Sequence, residues 1–387
     1  MLKIAVITGT RADYGLFYWL LNDLKDHSKF KLNVIATGSH LSKIYGNTYK
    51  EIEKDGFVIK EKIKILSSDD DSLDIALSTS KAIKGFAQYF NKNKTDLVII
   101  LGDRYEALAA CISAMFSDVP LMHIHGGEIS SGAYDDSIRH AITKMSHYHC
   151  TTTKEHMKRV IQLGENPDRV KNFGAPGLEY LKRSNLLSKK ELSRELGFDL
   201  NNFFLFTYHP ETLSDITISK QIEQVLKALD NFKDHRILFT YPNADKGGKK
   251  IIKSINAYAK RNARRCLAVP SLGQIRYLSA LLVCDLVIGN SSSGLIEAPS
   301  AKVPTINIGK RQENRTSAKS VINVENDTNK IIKSISKGLS SNFRSNKQIY
   351  NNPYGEGKTS KRIIKWIEEL DLKNKKIFYD LSLSELD

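Results

Sequence analysis

The sequence predicts an α/β protein of two Rossmann-like halves facing a cleft. Three observations lead there. Strand-length apolar segments alternate with helix-length amphipathic segments along the whole chain. The alternation pauses once, at FGAPGLEYL, where Gly174, Pro176 and Gly177 form a hinge. The 387 residues also exceed one ordinary core and suit two. In the first half the expected strands are Leu2 to Thr8, Leu32 to Thr37, Asp96 to Leu101, Val119 to Ile124 and Tyr148 to Thr152. Helices are expected at Phe17 to Lys25, Leu73 to Phe90 and Asp136 to Met145. In the second half strands resume at Phe203 to Tyr208, Arg236 to Tyr241, Cys266 to Val269, Asp285 to Ile288 and Val303 to Ile308. The Lys/Ser/Asn-rich stretch 327–348 has the composition of a solvated helix and loop, and a last helix, Thr359 to Leu370, is expected to cross back onto the first half. The domains are therefore set at 1–175, joined by the C-terminal helix 359–387, and 176–358.

Composition narrows the function classes. An apolar fraction of 41% is that of a soluble globular protein, and no apolar run is long enough to cross a bilayer. KIAVITGT runs straight into Arg11 and Asp13 rather than a cleavage site, so a cytoplasmic protein without a signal peptide is expected. Cys111, Cys150, Cys266 and Cys284 are far apart, as free buried thiols are, and no close pair suggests a metal. The net charge of +15 is spread along the chain and broken by apolar residues at helical spacing, the pattern of solvated amphipathic faces. No nucleic-acid motif accompanies it, so neither nucleic acid nor membrane is an expected partner, and a small anionic substrate fits the charge better.

The candidate chemistry sits just beyond strand ends, where open α/β sheets bind ligands. Between Gly102 and His140 lie Asp103, Arg104, His123, His125, Glu128, Asp135, Asp136, Arg139 and His140, more ionisable groups beside glycines than a core needs. Taken singly, Asp103 and Asp135 also suit helix N-caps, and Arg139 and His140 a solvated helix face. In KIAVITGTRADYG a strand, a Gly/Thr turn carrying Arg11 and a helix start make a candidate anion site. In GNSSSGLIE, Ser291, Ser292, Ser293 and Gly294 open a helix with hydroxyls and amides for a diphosphate, Glu297 lies one turn inside to accept ribose hydroxyls, and Arg311 and Arg315 follow the next strand. The plainer alternative is a Ser-capped helix with solvated arginines. His209, and Asn243 with Asp245, follow two further strands.

GTRADYG, GSHLSKIYGNTYKEIE, GDRYEALA, HIHGGE, YDDSIRHAITK, YHPET, YPNAD and GNSSSGLIE occur in that order, and together resemble the hydrolysing UDP-N-acetylglucosamine 2-epimerases of sialic acid biosynthesis. The likeness spans nearly the whole chain. It implies the GT-B fold, a UDP-sugar substrate, release of UDP and N-acetylmannosamine, no cofactor, no metal and a homo-oligomer, dimer or tetramer. It places Arg11, Gly15 and Arg104 at the nucleotide or its phosphates, and His209 at the diphosphate with a catalytic role. It places Asn243, Ser291, Ser292, Glu297 and Arg311 on UDP, and makes Asp103 and Asp135 catalytic carboxylates. One departure stands out: many members have HIEGGE where this chain has HIHGGE, so His125 stands where a catalytic Glu is often found, leaving the duty to His125 or Glu128.

The resemblance also implies a mechanism. No carbonyl acidifies the sugar C2 proton, so the C1–O bond breaks first, making C1 oxocarbenium-like. Elimination to a 2-acetamidoglucal follows, and hydration returns a proton to the other face of C2. Rival readings are the same reaction on UDP-2,4-diacetamido-2,4,6-trideoxyglucose for legionaminic acid, a non-hydrolysing 2-epimerase, and a GT-B glycosyltransferase. A basic polyanion-binding protein would explain the charge alone.

Overall fold

The computed structural model describes residues 1–66, 72–129, 134–211, 216–242, 247–373 and 375–381. They form two compact units, one joining Met1–Gly177 to the chain from Gly357 onward, the other the continuous stretch Leu178–Glu356.

The first unit is built on seven strands: β1 (Leu2–Thr8), β2 (Phe30–Thr37), β3 (Ile59–Ile63), β4 (Leu97–Leu101), β5 (Leu121–Ile124), β6 (Tyr148–Thr151) and β7 (Val170–Asn172). Their order is β3-β2-β1-β4-β5-β6-β7 and every pairing is parallel. Successive side chains point to opposite faces, so β1 sends Ile4 and Val6 into one core and Ala5 and Ile7 into another. Helix Arg11–Lys25 covers the first core with Phe17, Leu21 and Leu24, beside Ile363 and Trp366 of helix Thr359–Glu369. Helices Ser72–Lys92 and Tyr105–Phe116 cover the second with Phe86, Ala109 and Cys111. The strand order reverses between β1 and β4, and just beyond their carboxyl ends lie Gly9 and Asp103, the crevice where such sheets hold ligands.

The second unit repeats the plan with β8 (Phe203–Thr207), β9 (Arg236–Thr240), β10 (Cys266–Val269), β11 (Leu286–Gly289), β12 (Thr305–Ile308) and β13 (Val321–Val324). The order is β10-β9-β8-β11-β12-β13, again all parallel. Helices Ile218–Leu229, Gly248–Arg261 and Thr328–Leu339 bury Ile222, Val225, Ile251, Ile255, Ile331 and Ile335 against it. At the reversal between β8 and β11, Gly289 has φ 135°, and a Cβ there would lie 1.9 Å from the Thr207 carbonyl oxygen. Only glycine lets the two strands stay paired to their ends.

The interior strands fall where the apolar runs predict. β3, β7 and β13 were not anticipated, and all three are sheet edges. β3 (IKEKI) exposes its three central residues and β7 is only three residues long, so neither offers the run that marks a buried strand. The first helix begins at Arg11 rather than Phe17, because Thr10 and Asp13 form a capping box there. The stretch expected to be solvated at 327–348 instead buries Ile331 and Ile335. All four cysteines are free and buried. No helix among the described residues is long and apolar enough to cross a membrane.

The Gly289 geometry makes a prediction. Gly289→Ala should lower the stability of the protein by about 3 kcal/mol, since a side chain at that φ is strained even before it meets Thr207. An unchanged urea midpoint would show that β8 and β11 part freely at that end.

Candidate active site

In the first unit the site grows out of the turn after β5. His125 has φ 68°, in the left-handed region that residues with side chains rarely adopt. Gly127 follows at φ 79°, and a Cβ on it would lie 2.3 Å from the His156 carbonyl oxygen. The glycine presses the loop onto helix Lys154–Gln162 and so turns His125 and Glu128 toward each other. His125 Nδ1 lies 2.8 Å from Glu128 Oε1.

Glu128 is also reached by Arg139 Nη1 at 3.2 Å and by the Thr152 hydroxyl, which donates to Oε1 at 3.0 Å. His156 Nδ1 lies 2.8 Å from the Thr152 oxygen. Burial alone would raise the Glu128 carboxyl, but His125, Arg139 and His156 outweigh it and hold the group well below the usual carboxylate range. An ionised Glu128 only accepts, so His125 must donate from Nδ1, leaving a lone pair on Nε2 when the ring is neutral. That Nε2 is buried and has no hydrogen-bond partner among the described residues.

Asp103 does not cap the helix that follows it. Arg104 takes the cap position of Tyr105–Phe116, and the Asp103 carboxylate pairs with Arg139 Nη2. Arg139 belongs to helix Tyr134–Met145 and its side chain is only 6% exposed, so the solvated-face expectation fails for it: it bridges Asp103 and Glu128. His140 suits that expectation better, half-buried at 3.6 Å from Asp136. Asp135 is exposed in the helix's first turn, and its carboxyl is held above the usual range by partial burial and by the nearby Asp103 charge. His123 is core: fully buried, with Nε2 2.8 Å from the Gly102 carbonyl and Nδ1 3.2 Å from the Thr143 hydroxyl.

The anion site expected after β1 is partly filled by the chain itself. Asp13 accepts from the Gly9 and Thr10 amides at 3.2 and 3.1 Å, and Thr10 accepts from the Asp13 amide. Burial and the Glu106 charge push the Asp13 carboxyl up to about 6. Glu106, 2% exposed, holds Arg104 through Nε at 2.6 Å, and a Cβ on Gly9 would strike it at 2.3 Å. Arg11 is exposed as the first residue of its helix, and Gly15 lies inside that helix with open space where a Cβ would stand.

In the second unit the chain after β8 and the chain after β11 are tied together. The His209 amide donates to Asn290 Oδ1 at 2.6 Å, and Asn290 Nδ2 donates back to the His209 carbonyl at 2.9 Å. The Asn290 carbonyl then accepts from Arg311 Nη1 at 3.1 Å and Gln312 Nε2 at 2.9 Å. Glu211 fixes the Arg311 amide at 3.0 Å. His209 and Arg311, four strands apart in sequence, therefore meet at one asparagine. Sequence reasoning did not single out Asn290, Glu211 or Gln312, nor Glu106, Thr152 and His156 in the first unit. Asn243 and Asp245 lie outside the described residues.

The serine motif departs from expectation. The helix after β11 is a single turn, Ser293–Ile296, too short for a dipole argument, and Glu297 closes it rather than sitting one turn inside. Ser292 makes no side-chain capping bond, while the Ser291 hydroxyl accepts from the Ser293 amide at 3.4 Å. The Glu297 Oε2 and the Tyr277 and Ser293 hydroxyls are buried, and among the described residues none of the three makes a hydrogen bond of normal geometry, though Ser293 lies near enough to act on the Glu297 carboxyl. Burial lifts the Glu297 carboxyl to about 7, against the pull of Ser293.

That shift fixes a pH dependence. Below about 4.5 the group is protonated in folded and unfolded chains alike; between 4.5 and about 7 the unfolded chain loses the proton that the folded one keeps. Ligand-free stability should therefore fall across this window, and the fall should be smaller in Glu297→Gln. Parallel urea titrations at pH 5 and 7.5 check it: equal pH losses in both proteins would place an ordinary carboxyl there.

Comparison with known proteins follows this geometry. The family model of UDP-N-acetylglucosamine 2-epimerase matches residues 22–368. GDP/UDP-N,N'-diacetylbacillosamine 2-epimerase (hydrolyzing) of Campylobacter jejuni is 40% identical over 345 residues, 89% of each chain. Polysialic acid biosynthesis protein P7 of Escherichia coli is 40% identical over 385 residues, 98% of each chain. The crystal structure of the Neisseria meningitidis UDP-GlcNAc 2-epimerase bound to UDP-GlcNAc superposes with a TM-score of 0.78 at 17% identity, covering 95% of this chain and 100% of that one, a likeness that shows the GT-B fold. The chain belongs to the UDP-N-acetylglucosamine 2-epimerase family, and is an enzyme of that family.

Proposed function

We propose that the protein hydrolyses UDP-N-acetylglucosamine with inversion at C2, releasing UDP and N-acetylmannosamine, by elimination followed by hydration. The observation that carries this reading is the His125–Glu128 pair. A buried imidazole that must donate from Nδ1 and keeps an unpartnered Nε2 is a base oriented for use.

In the first half-reaction His125 Nε2 takes the C2 proton. The C2–H electron pair becomes the C1=C2 bond of 2-acetamidoglucal, and the C1–O pair leaves with the diphosphate. The Asp103 carboxylate stabilises positive charge developing at C1, while Arg139 holds it in place. In the second unit Ser291, Ser292 and Arg311 serve the departing anion, with His209 fixed beside Arg311 through Asn290. In the second half-reaction water bonds to C1 as hydroxyl and releases its other proton to solvent, while the C1=C2 pair takes a proton at C2 on the other face. Asp135 is suited to give that proton, because partial burial and the Asp103 charge hold its carboxyl above the usual range. Glu297 is the acceptor proposed for ribose hydroxyls, which would satisfy its lone Oε2.

The Escherichia coli relative, which aligns end to end and is named for polysialic acid biosynthesis, supports the N-acetylglucosamine substrate. The Campylobacter relative, equal to it in identity, supports a second reading: the same reaction on UDP-N,N'-diacetylbacillosamine. Incubation with each sugar nucleotide and NMR of the sugar released separates them. Turnover of the diacetamido sugar alone would replace the first reading with the second.

Two outcomes test the mechanism itself. Turnover in deuterated water should place deuterium at C2 of the released sugar, and product without it would exclude proton loss from C2. His125→Ala should lower kcat by about a hundredfold or more, with Glu128→Gln close behind because the ring loses its orienting acceptor. If His125→Ala turns over near the wild-type rate while Glu128→Gln does not, Glu128 is the working group.

A further inference from the structure

Far from the candidate site, at the other end of helix Tyr134–Met145, a second buried charge cluster has no part in the proposed chemistry. Glu165, 2% exposed, accepts from Lys144 Nζ at 2.7 Å, from His149 Nε2 at 3.0 Å and from Lys376 Nζ at 2.7 Å. Burial would raise the Glu165 carboxyl, but His149 and the two ammonium groups outweigh it and hold it at about 2. Lys376 comes from the segment after the last helix, more than two hundred residues further along the chain. Its ammonium also donates to the Lys144 and Ser146 carbonyls, each at 2.6 Å. Those are carbonyls at the end of the helix, which lack partners within it and which a cation at the C-terminus stabilises.

The segment around Lys376 is fastened on both sides. Tyr148 donates to the Asp371 carbonyl at 2.7 Å, Arg169 Nη2 to the Lys375 carbonyl at 2.9 Å, and the Tyr379 amide to the Gly164 carbonyl at 3.1 Å. Phe378 lies so close to Gly164 that a Cβ on the glycine would meet the ring at 2.4 Å, while Lys144 sits 4.6 Å above the same ring. This much fixation of a trailing segment needs a purpose beyond covering apolar surface, since Ile377 and Phe378 remain largely exposed.

The helix explains it. Its first two turns carry Asp135 and Arg139, and its last turn carries Thr143, which bonds His123 under the Gly102 carbonyl, and Lys144. A short helix is close to rigid, so fixing its last carbonyls fixes the axial position of Arg139, and with it the Asp103–Arg139–Glu128 bridge. We propose that Lys376, clasped by Glu165, is a positioning residue: it latches the C-terminal segment to the end of helix Tyr134–Met145 and thereby sets Arg139 and Asp135 for catalysis. Lys376 touches no reacting atom and acts only through the helix.

The turnover arm of the test rests on the function proposed above, so it is paired with a measurement that needs no substrate. In full-length Lys376→Ala, amide hydrogen exchange across residues 136–146 should quicken at least tenfold, while exchange in β8 to β13 stays as in the wild type. With UDP-N-acetylglucosamine, kcat should fall about tenfold or more with KM nearly unchanged, and Lys376→Arg, which restores a cation, should recover most of it. Slow exchange retained in the helix of a folded Lys376→Ala protein would overturn the latch. So would equal kcat in wild type and Lys376→Ala, or a loss that Lys376→Arg fails to repair. Absence of turnover in the wild type itself would fault the proposed substrate, and the exchange result would then still decide the latch.

Discussion

The first unit depends on one electrostatic constraint: two half-buried carboxylates, Asp103 and Glu128, are bridged by the single buried guanidinium of Arg139. Taking such charges from water is costly, and removing Arg139 would take a cation from both, leaving Glu128 to His125 and Thr152. The rest of the local structure can be understood as what keeps that arginine and those acids in register. The reversal of strand order puts Asp103 at the end of β4, the glycine turn delivers Glu128 after β5, and helix Tyr134–Met145 brings Arg139 across to both.

The two units solve the same topological problem with different chemistry. Each is a parallel sheet whose order reverses between two neighbouring strands, and each gathers polar side chains there. In the first unit these are charges held by other charges. In the second the central element is neutral: the Asn290 side chain pairs with the backbone of His209 as a strand would, and its own carbonyl collects Arg311 and Gln312.

The interior of both sheets was legible from sequence because buried parallel strands are near-continuous apolar runs, as in LVIIL and FFLFT. Of the edges only β10 was, because a strand such as β3, with its IKEKI sequence, satisfies only one neighbour and tolerates charge on most of its length. In the site, residue types and positions beyond strands announced Asp103, His125, Glu128 and Ser291. Their partners did not announce themselves. Nothing in the sequence says that Arg139 turns inward while His140, beside it, stays half-exposed, since that depends on which face of the helix meets β5. Thr152 and Asn290 are ordinary polar residues until the fold sets them against a carboxylate or a backbone. The Gly/Thr turn after β1 hid one feature for a related reason: Asp13 looks like a helix residue in sequence, and only the capping geometry shows it occupying the Gly9 and Thr10 amides.

The discontinuity of the first unit bears on how the chain matures. The second unit is one unbroken stretch and has all its residues once synthesis passes Glu356. The first unit lacks until then the helix that carries Ile363 and Trp366 into its core, where Trp366 packs edge-on to Tyr148 and Phe173 at 5.8 and 5.5 Å. The nascent chain thus holds an incomplete amino-terminal half, with apolar surface uncovered, while a later half is already able to close. Vectorial folding runs against the usual order here, and the interval before the last helix emerges is when the polypeptide is most open to aggregation or chaperone capture.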